Sequence, residues 1–99
     1  MRKFFTQIPK AVELLKANPA LPVRAHIEYS ILAEVCLKHL YPKSEVTLNS
    51  PDSRTGNIEV TIFKSDGQKE LVHSKKNGQG NITPDNVAEI MQRVIRFVE

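Results

Sequence analysis

Hydrophobic and polar residues alternate along three stretches of the chain, which is the pattern of a β-strand with one buried face. In residues 23–29 the apolar positions alternate with Arg24, His26 and Glu28, so one face of this strand is polar. Residues 45–49 and 58–63 alternate in the same way, and Gly67 marks a hairpin turn into a fourth strand at residues 71–74. The pattern therefore predicts four strands, the first of which buries Val23, Ala25, Ile27 and Tyr29.

Apolar residues at helical spacing predict two helices among these strands. In residues 31–40, Leu32, Cys36 and Leu40 fall on one line, and Pro42 closes the segment. The later helix has Thr83 as its N-cap and Pro84 at its first position. Its predicted buried stripe consists of Val87, Ile90, Met91, Val94 and Val98.

A further helix is predicted at residues 1–19. Its apolar positions form two lines, one with Phe4, Ile8, Ala11 and Leu15 and the other with Phe5 and Val12. Pro9 either kinks this helix or begins it, and Asn18-Pro19 ends it. A helix with two apolar lines needs more than one surface to bury it, either the open face of the sheet or a partner protein.

The elements follow one another as a helix and then β-α-β-β-β-α. A right-handed crossover places the two later helices on one face of the sheet. The sequence thus predicts an α/β, thioredoxin-like fold with a four-stranded mixed sheet. We expect a single domain over residues 1–99, with the extra N-terminal helix at 1–19 and a βαβ-ββα unit at 23–98.

Composition narrows the functional classes. The chain has 99 residues, 40% hydrophobic and 25% charged, which is typical of a soluble domain with its own core. No apolar run reaches the roughly 18 residues of a membrane span. The net charge of +3 comes from residues 1–50, which hold seven basic and four acidic residues, whereas residues 51–99 hold seven of each. With few aromatic residues for base stacking, a solvated basic face is favoured over nucleic-acid binding.

The first twelve residues, MRKFFTQIPKAV, carry three basic residues and no acidic one. This is typical of a mitochondrial targeting helix. The apolar stripe continues past Glu13, however, which favours an ordinary first helix of the domain.

Residues 56–80, GNIEVTIFKSDGQKELVHSKKNGQG, carry a family resemblance. They resemble the selenoprotein W (Rdx) family, whose pattern is Gly-x-Phe-Glu-Val, a hairpin, and Leu-Ile-His-Ser-Lys-Lys followed by glycines. HIEY and the helix ending in HLYP correspond to the family's first strand and helix. The matching positions are Glu59, Val60, Leu71, His73, Ser74, Lys75, Lys76, Gly78 and Gly80.

The selenoprotein W resemblance implies a thioredoxin-like fold with a Cys-x-x-Cys or Cys-x-x-selenocysteine motif directly after the first strand. This sequence has Ser30 where the first cysteine is expected, and the second is missing. We therefore expect Ser30 to mark a lost redox motif.

Residues 2–23, with RKFF and VELLKANPALPV, carry a second resemblance. They resemble the first helix and turn of the small thioredoxin-like accessory subunit of mitochondrial NADH dehydrogenase (complex I) and of related mitochondrial ribosomal proteins. The strand that precedes this helix in that family is absent. The resemblance implies a structural role in a mitochondrial assembly, and it depends on Arg2, Phe4, Asn18, Pro19, Leu21 and Pro22.

The candidate chemistries are few. Cys36 is the only cysteine, and its place on the apolar line favours a buried structural thiol over a redox nucleophile. His39 follows three residues later, but Cys-x-x-His supplies only two of the four ligands of a closed zinc site. For the KKNGQG loop at residues 75–80, a solvated connection is favoured over a nest of anion-binding amides. We predict no catalytic residue, cofactor or metal site.

The sequence favours a non-catalytic accessory subunit that binds other proteins, most plausibly on the matrix side of mitochondria, with the cytoplasm as the alternative. The functional alternative is a selenoprotein W-like thiol-redox protein acting through Cys36; a third hypothesis is contact with RNA in a ribosome. We expect no membrane span and no small-molecule substrate. The candidate interface consists of Phe4, Phe5, Ile8, Arg24, His26, Phe63, Lys75 and Lys76.

Overall fold

In the described part of the chain, seven elements follow one another in the order α-β-α-β-β-β-α. The computed structural model describes residues 7–49 and 57–99, so Phe4 and Phe5 of the predicted interface lie outside the described residues. The elements are α1 (Lys10–Glu13), β1 (Arg24–Glu28), α2 (Ile31–Leu40), β2 (Glu45–Leu48), β3 (Glu59–Phe63), β4 (Lys69–Ser74) and α3 (Val87–Val98).

The four strands form one mixed sheet in the order β2-β1-β3-β4. β1 runs parallel to β2 and antiparallel to β3, and β3 runs antiparallel to β4. This confirms the predicted α/β class with a four-stranded mixed sheet. At the start of β1, Arg24 lies between Glu45 of β2 and Phe63 of β3, so the three side chains share one face.

The opposite face of the sheet carries the core. Ala25 and Ile27 of β1 and Val60 and Ile62 of β3 are buried, as the alternation predicts. A register shift between β3 and β4 lets consecutive residues at the end of β4 be buried, including His73. Helix α3 contacts both β4 and α2. Its predicted stripe is confirmed at Val87, Ile90, Met91 and Val94, and Val98 is partly buried.

The buried line of α2 differs from the prediction. Cys36 and Leu40 are buried, but Ala33 and Leu37 complete the inward face. Leu32 is only partly buried, and the side chain of Ile31 is 70% exposed. The apolar residues of α2 extend around more of its circumference than the core can cover, so spacing alone did not identify the inward side.

The predicted N-terminal helix at residues 1–19 is wrong within the described part. Only Lys10–Glu13 is helical, and Pro9 precedes it with extended backbone. Proline has no amide hydrogen and is accommodated only at the beginning of a helix, so the predicted line from Ile8 to Leu15 is interrupted. Ile8 and Leu15 pack against the core from irregular backbone, and Ala11 is exposed.

The segment around α1 packs against α3 rather than on the open face of the sheet, and Val12 is buried there. The carboxylate of Glu99, at the end of α3, forms hydrogen bonds with the segment that follows α1 and with Tyr41. Its Oε2 accepts the Asn18 amide at 2.8 Å and the Tyr41 hydroxyl at 2.6 Å. Burial, the hydrogen bond and the charge of Glu99 all raise the pKa of Tyr41 well above its usual range.

Helix α3 begins later than predicted. Thr83 and Pro84 form a turn before the helix, in which the Thr83 carbonyl accepts the amides of Asn86 and Val87. The Asn86 side chain folds back to accept the Thr83 amide at 2.8 Å and to donate to the Asn81 carbonyl at 2.8 Å. The regular helix therefore starts at Val87.

Candidate functional site

The chain turns from β1 into α2 within two residues. Tyr29 adopts φ = +55°, the one positive φ of a non-glycine residue in the described ranges. This conformation costs of order 1 kcal/mol or more for a side chain of this size. The prediction that Tyr29 continues the buried face of the strand is wrong, because this backbone turns its side chain away and leaves it 39% exposed.

Ser30 is the N-cap of α2. Its backbone is extended, and its Oγ accepts the Ala33 amide at 3.0 Å. That hydrogen bond satisfies one of the free amides at the start of the helix. The residue at the predicted degenerate redox position thus caps helix α2, and its Oγ is the acceptor of that capping hydrogen bond.

A cavity of about 390 Å³ opens beside this turn, at the carboxyl ends of the parallel strands β1 and β2. This end of a parallel pair is where ligands commonly bind in α/β proteins. Ile31 and Leu48, which are 70% and 53% exposed, present apolar surface together with Tyr29. We call it the junction cavity; it is lined by Tyr29, Ser30, Ile31, Glu34, Leu48 and Asn49.

The polar residues at the junction cavity already have partners within the chain. Glu34 is paired with Lys38 at 3.1 Å. Asn49 Oδ1 lies 2.9 Å from Nε2 of His26, whose Nδ1 lies 2.9 Å from Thr47 Oγ1. The junction cavity therefore offers mainly apolar contact, which suits binding better than acid–base chemistry.

Cys36 lies inside the core and not at the junction. It is fully buried, as predicted, and burial raises the pKa of its thiol to about 11. A nucleophilic cysteine needs exposure and a lowered pKa, and the sequence contains no second cysteine to resolve a disulfide. The environment of Cys36 is that of a small apolar core residue.

The KKNGQG loop is folded around a carboxylate of the chain itself. Glu59 Oε1 accepts the Ser74 hydroxyl at 2.6 Å, and its Oε2 accepts the Lys76 amide at 3.1 Å. Partial burial alone would raise the pKa of Glu59, but these hydrogen bonds outweigh it and lower the pKa. An amide that a bound anion would need is thus taken by Glu59, while the side chains of Lys75 and Lys76 point into solvent.

The described residues of the predicted interface do not form one surface. Arg24, His26 and Phe63 share the open face of the sheet, and the Arg24 guanidinium lies 5.6 Å from the Phe63 ring centre. Lys75 and Lys76 follow β4, at the opposite end of its ladder with β3 from Phe63. Ile8 packs against the core instead.

The junction cavity was not predicted from the sequence. Ile31 and Leu48 occupy ordinary positions in the predicted helix and strand. Nothing about a tyrosine in the sequence indicates that its φ is positive. The one available signal was that Ser30 directly follows a strand. This predicted where the junction lies, but it did not predict that the junction exposes apolar side chains.

Within 7–49 and 57–99, no three His, Cys, Asp or Glu side chains gather as ligands. No helix in these ranges is long and apolar enough to cross a membrane.

Comparison with known proteins adds no relative. No protein family matches the sequence, and neither a curated protein nor a solved structure resembles it significantly. The resemblances to selenoprotein W and to the complex I subunit therefore stay predictions.

Replacing Ser30 tests its structural role. Ser30→Ala removes the acceptor for the Ala33 amide, so we expect the free energy of unfolding to fall by about 1 kcal/mol in urea titrations. Ser30→Asp keeps an acceptor and adds a favourable charge at the helix N-terminus, and it should stay within about 0.5 kcal/mol of the original chain. Equal stability of all three proteins would contradict the capping role.

Thiol labelling tests the environment of Cys36. In the folded protein near pH 8, we expect an aromatic disulfide reagent to label Cys36 at least about a hundredfold more slowly than in urea, because burial disfavours the thiolate. A Leu14→Cys variant in a Cys36→Ala background is the matched control, since Leu14 is 72% exposed. Equal rates for the two folded proteins would show that Cys36 is accessible.

Proposed function

We propose that this protein is a non-catalytic protein-binding domain that contacts its partner through the junction cavity. The observation that carries the proposal is the combination of exposed Tyr29, Ile31 and Leu48 around a cavity whose serine is engaged as a helix cap. Exposed apolar side chains grouped at one concave site are typical of interaction surfaces.

We also propose that the fold is thioredoxin-like. The strand order β2-β1-β3-β4, with a parallel β-α-β half joined to an antiparallel hairpin and a closing helix, supports this proposal. In such an arrangement the junction after β1 is the place where a redox motif belongs. Ser30 in place of a thiol supports a domain that has kept the surface and lost the chemistry.

The assembly we propose is a larger complex in which the chain is an accessory subunit, on the matrix side of mitochondria. The resemblance over residues 2–23 motivates this compartment and the respiratory or ribosomal type of complex. Its helical part has less support, since α1 covers only Lys10–Glu13. The alternative to a protein partner is RNA, contacted through Lys75 and Lys76. The alternative to the mitochondrial matrix is the cytoplasm.

The alternative activity, thiol-redox chemistry through Cys36, has little support from the geometry. The thiol is fully buried and its pKa is raised to about 11. Both properties oppose formation of a reactive thiolate.

The native size of tagged variants tests the proposal. We expect the original chain to migrate in a native gel of a gentle mitochondrial extract far above its own mass of 11.2 kDa. Ile31→Asp should shift it to the monomer position, because a charge at the rim of the cavity must be desolvated on binding. Ile31 is 70% exposed, so the isolated domain should still fold.

Leu14→Asp is the matched control, since Leu14 is 72% exposed and lies outside the junction cavity. It should migrate with the original chain. Release of both variants, or of neither, would contradict binding through the cavity. Migration of the original chain as a free monomer in mitochondrial and cytosolic extracts would contradict the accessory-subunit role.

A further inference from the structure

We propose that a second surface, at the other end of the sheet from the junction cavity, binds an acidic segment of a partner protein that carries one apolar side chain. The proposal rests on the proposed protein-binding function but does not depend on occupancy of the junction cavity. We call this surface the basic groove; it consists of Pro22, Val23, Arg24, Lys43, Phe63 and Lys64.

The basic groove is formed by two adjoining cavities of about 190 and 210 Å³, which share Pro22, Val23, Phe63, Lys64 and Ser65. Each is below the roughly 300 Å³ at which small-molecule sites begin, so the size of each suits a side chain of a partner. Pro22 and Phe63 contribute to the mainly apolar lining of the larger of the two cavities.

Two of the three cations of the basic groove lie over aromatic rings. The Arg24 guanidinium lies 5.6 Å from the Phe63 ring centre, and Lys64 Nζ lies 4.6 Å from that of Phe97. Each such cation–π contact restricts the side chain that makes it, which lowers the conformational entropy that binding a carboxylate costs.

The cations of the basic groove take part in neither of the ion pairs Lys38–Glu34 and Arg93–Glu89. Glu45 is the one acidic residue that lines the same cavity as Arg24 and Lys43. Asp66 borders the other cavity, but its Oδ1 accepts the Gln68 amide at 2.9 Å within the hairpin turn. Three cations against two lining acids leave the basic groove with a formal charge of +1, which favours a segment of negative charge.

The same contacts favour a protein segment over a nucleic acid. Single-stranded nucleic acids bind by stacking bases on open aromatic faces. Arg24 covers one face of Phe63, and Lys64 covers one face of Phe97. The mainly apolar lining of the larger cavity suits an aliphatic side chain between carboxylates.

Peptide binding tests the basic groove. The probe is a fluorescent ten-residue polyglutamate peptide with one central leucine, measured by anisotropy at about 0.1 M salt, where the Debye length is about 10 Å. We expect Arg24→Gln/Lys64→Gln to weaken binding about tenfold or more. Lys75→Gln/Lys76→Gln removes the same charge elsewhere and should change binding by less than about twofold.

Three results would overturn the proposal: no binding at millimolar peptide, equal loss in both double variants, or tighter binding of a ten-nucleotide uridine RNA. Serine in place of the peptide's leucine should weaken binding; unchanged binding would rule out the apolar contact.

If Arg24→Gln/Lys64→Gln does not fold, the site is located instead by following the amide chemical shifts of the original chain. They should move at Arg24, Lys43 and Lys64 on adding peptide, and shifts confined to other residues would overturn the site. Because Ile31→Asp leaves the basic groove intact, it should bind the peptide normally whatever the outcome at the junction cavity.

Discussion

The two-residue turn from β1 into α2 is the constraint on which the rest of the candidate site depends. Tyr29 makes the turn by adopting a positive φ, and Ser30 completes it by capping the helix through the Ala33 amide. This geometry starts α2 immediately after the strand, with Ile31 at its exposed first position. The strain at Tyr29 is compensated by the helix cap and by the packing of β1 and α2 on either side of the turn.

The turn also explains why we propose binding rather than catalysis at this site. A cysteine at a helix N-terminus gains acidity from the free amides there, but a serine uses the same position for a hydrogen bond. The one thiol lies farther along α2, where Cys36 faces the core. What the junction presents to solvent is apolar, and its polar neighbours are paired within the chain. The cations that we propose for recognition of an acidic segment lie at the other end of the sheet, around Arg24 and Lys64.

Strands β1 and β3 and helix α3 were predictable because each buries one face against a single core, which imposes a clear period on the residues. The N-terminal segment was not, because Ile8 and Leu15 reach the core from irregular backbone on either side of the short helix α1 and so imitate a helical period. The role of Glu99, which accepts hydrogen bonds from Tyr41 and Asn18, depends on contacts between distant residues that no local pattern reports. The hydrogen bond between the Glu59 carboxylate of β3 and the KKNGQG loop was not predicted for the same reason.

Site-specific photo-crosslinking in intact cells would test the central claim, that the junction cavity is a protein-binding surface, most directly. A photoreactive amino acid would replace Ile31 in one protein and Leu14 in another, two positions of nearly equal exposure. The account predicts one defined crosslinked partner from position 31 and none of that identity from position 14. The same products from both positions, or no product from position 31, would contradict it.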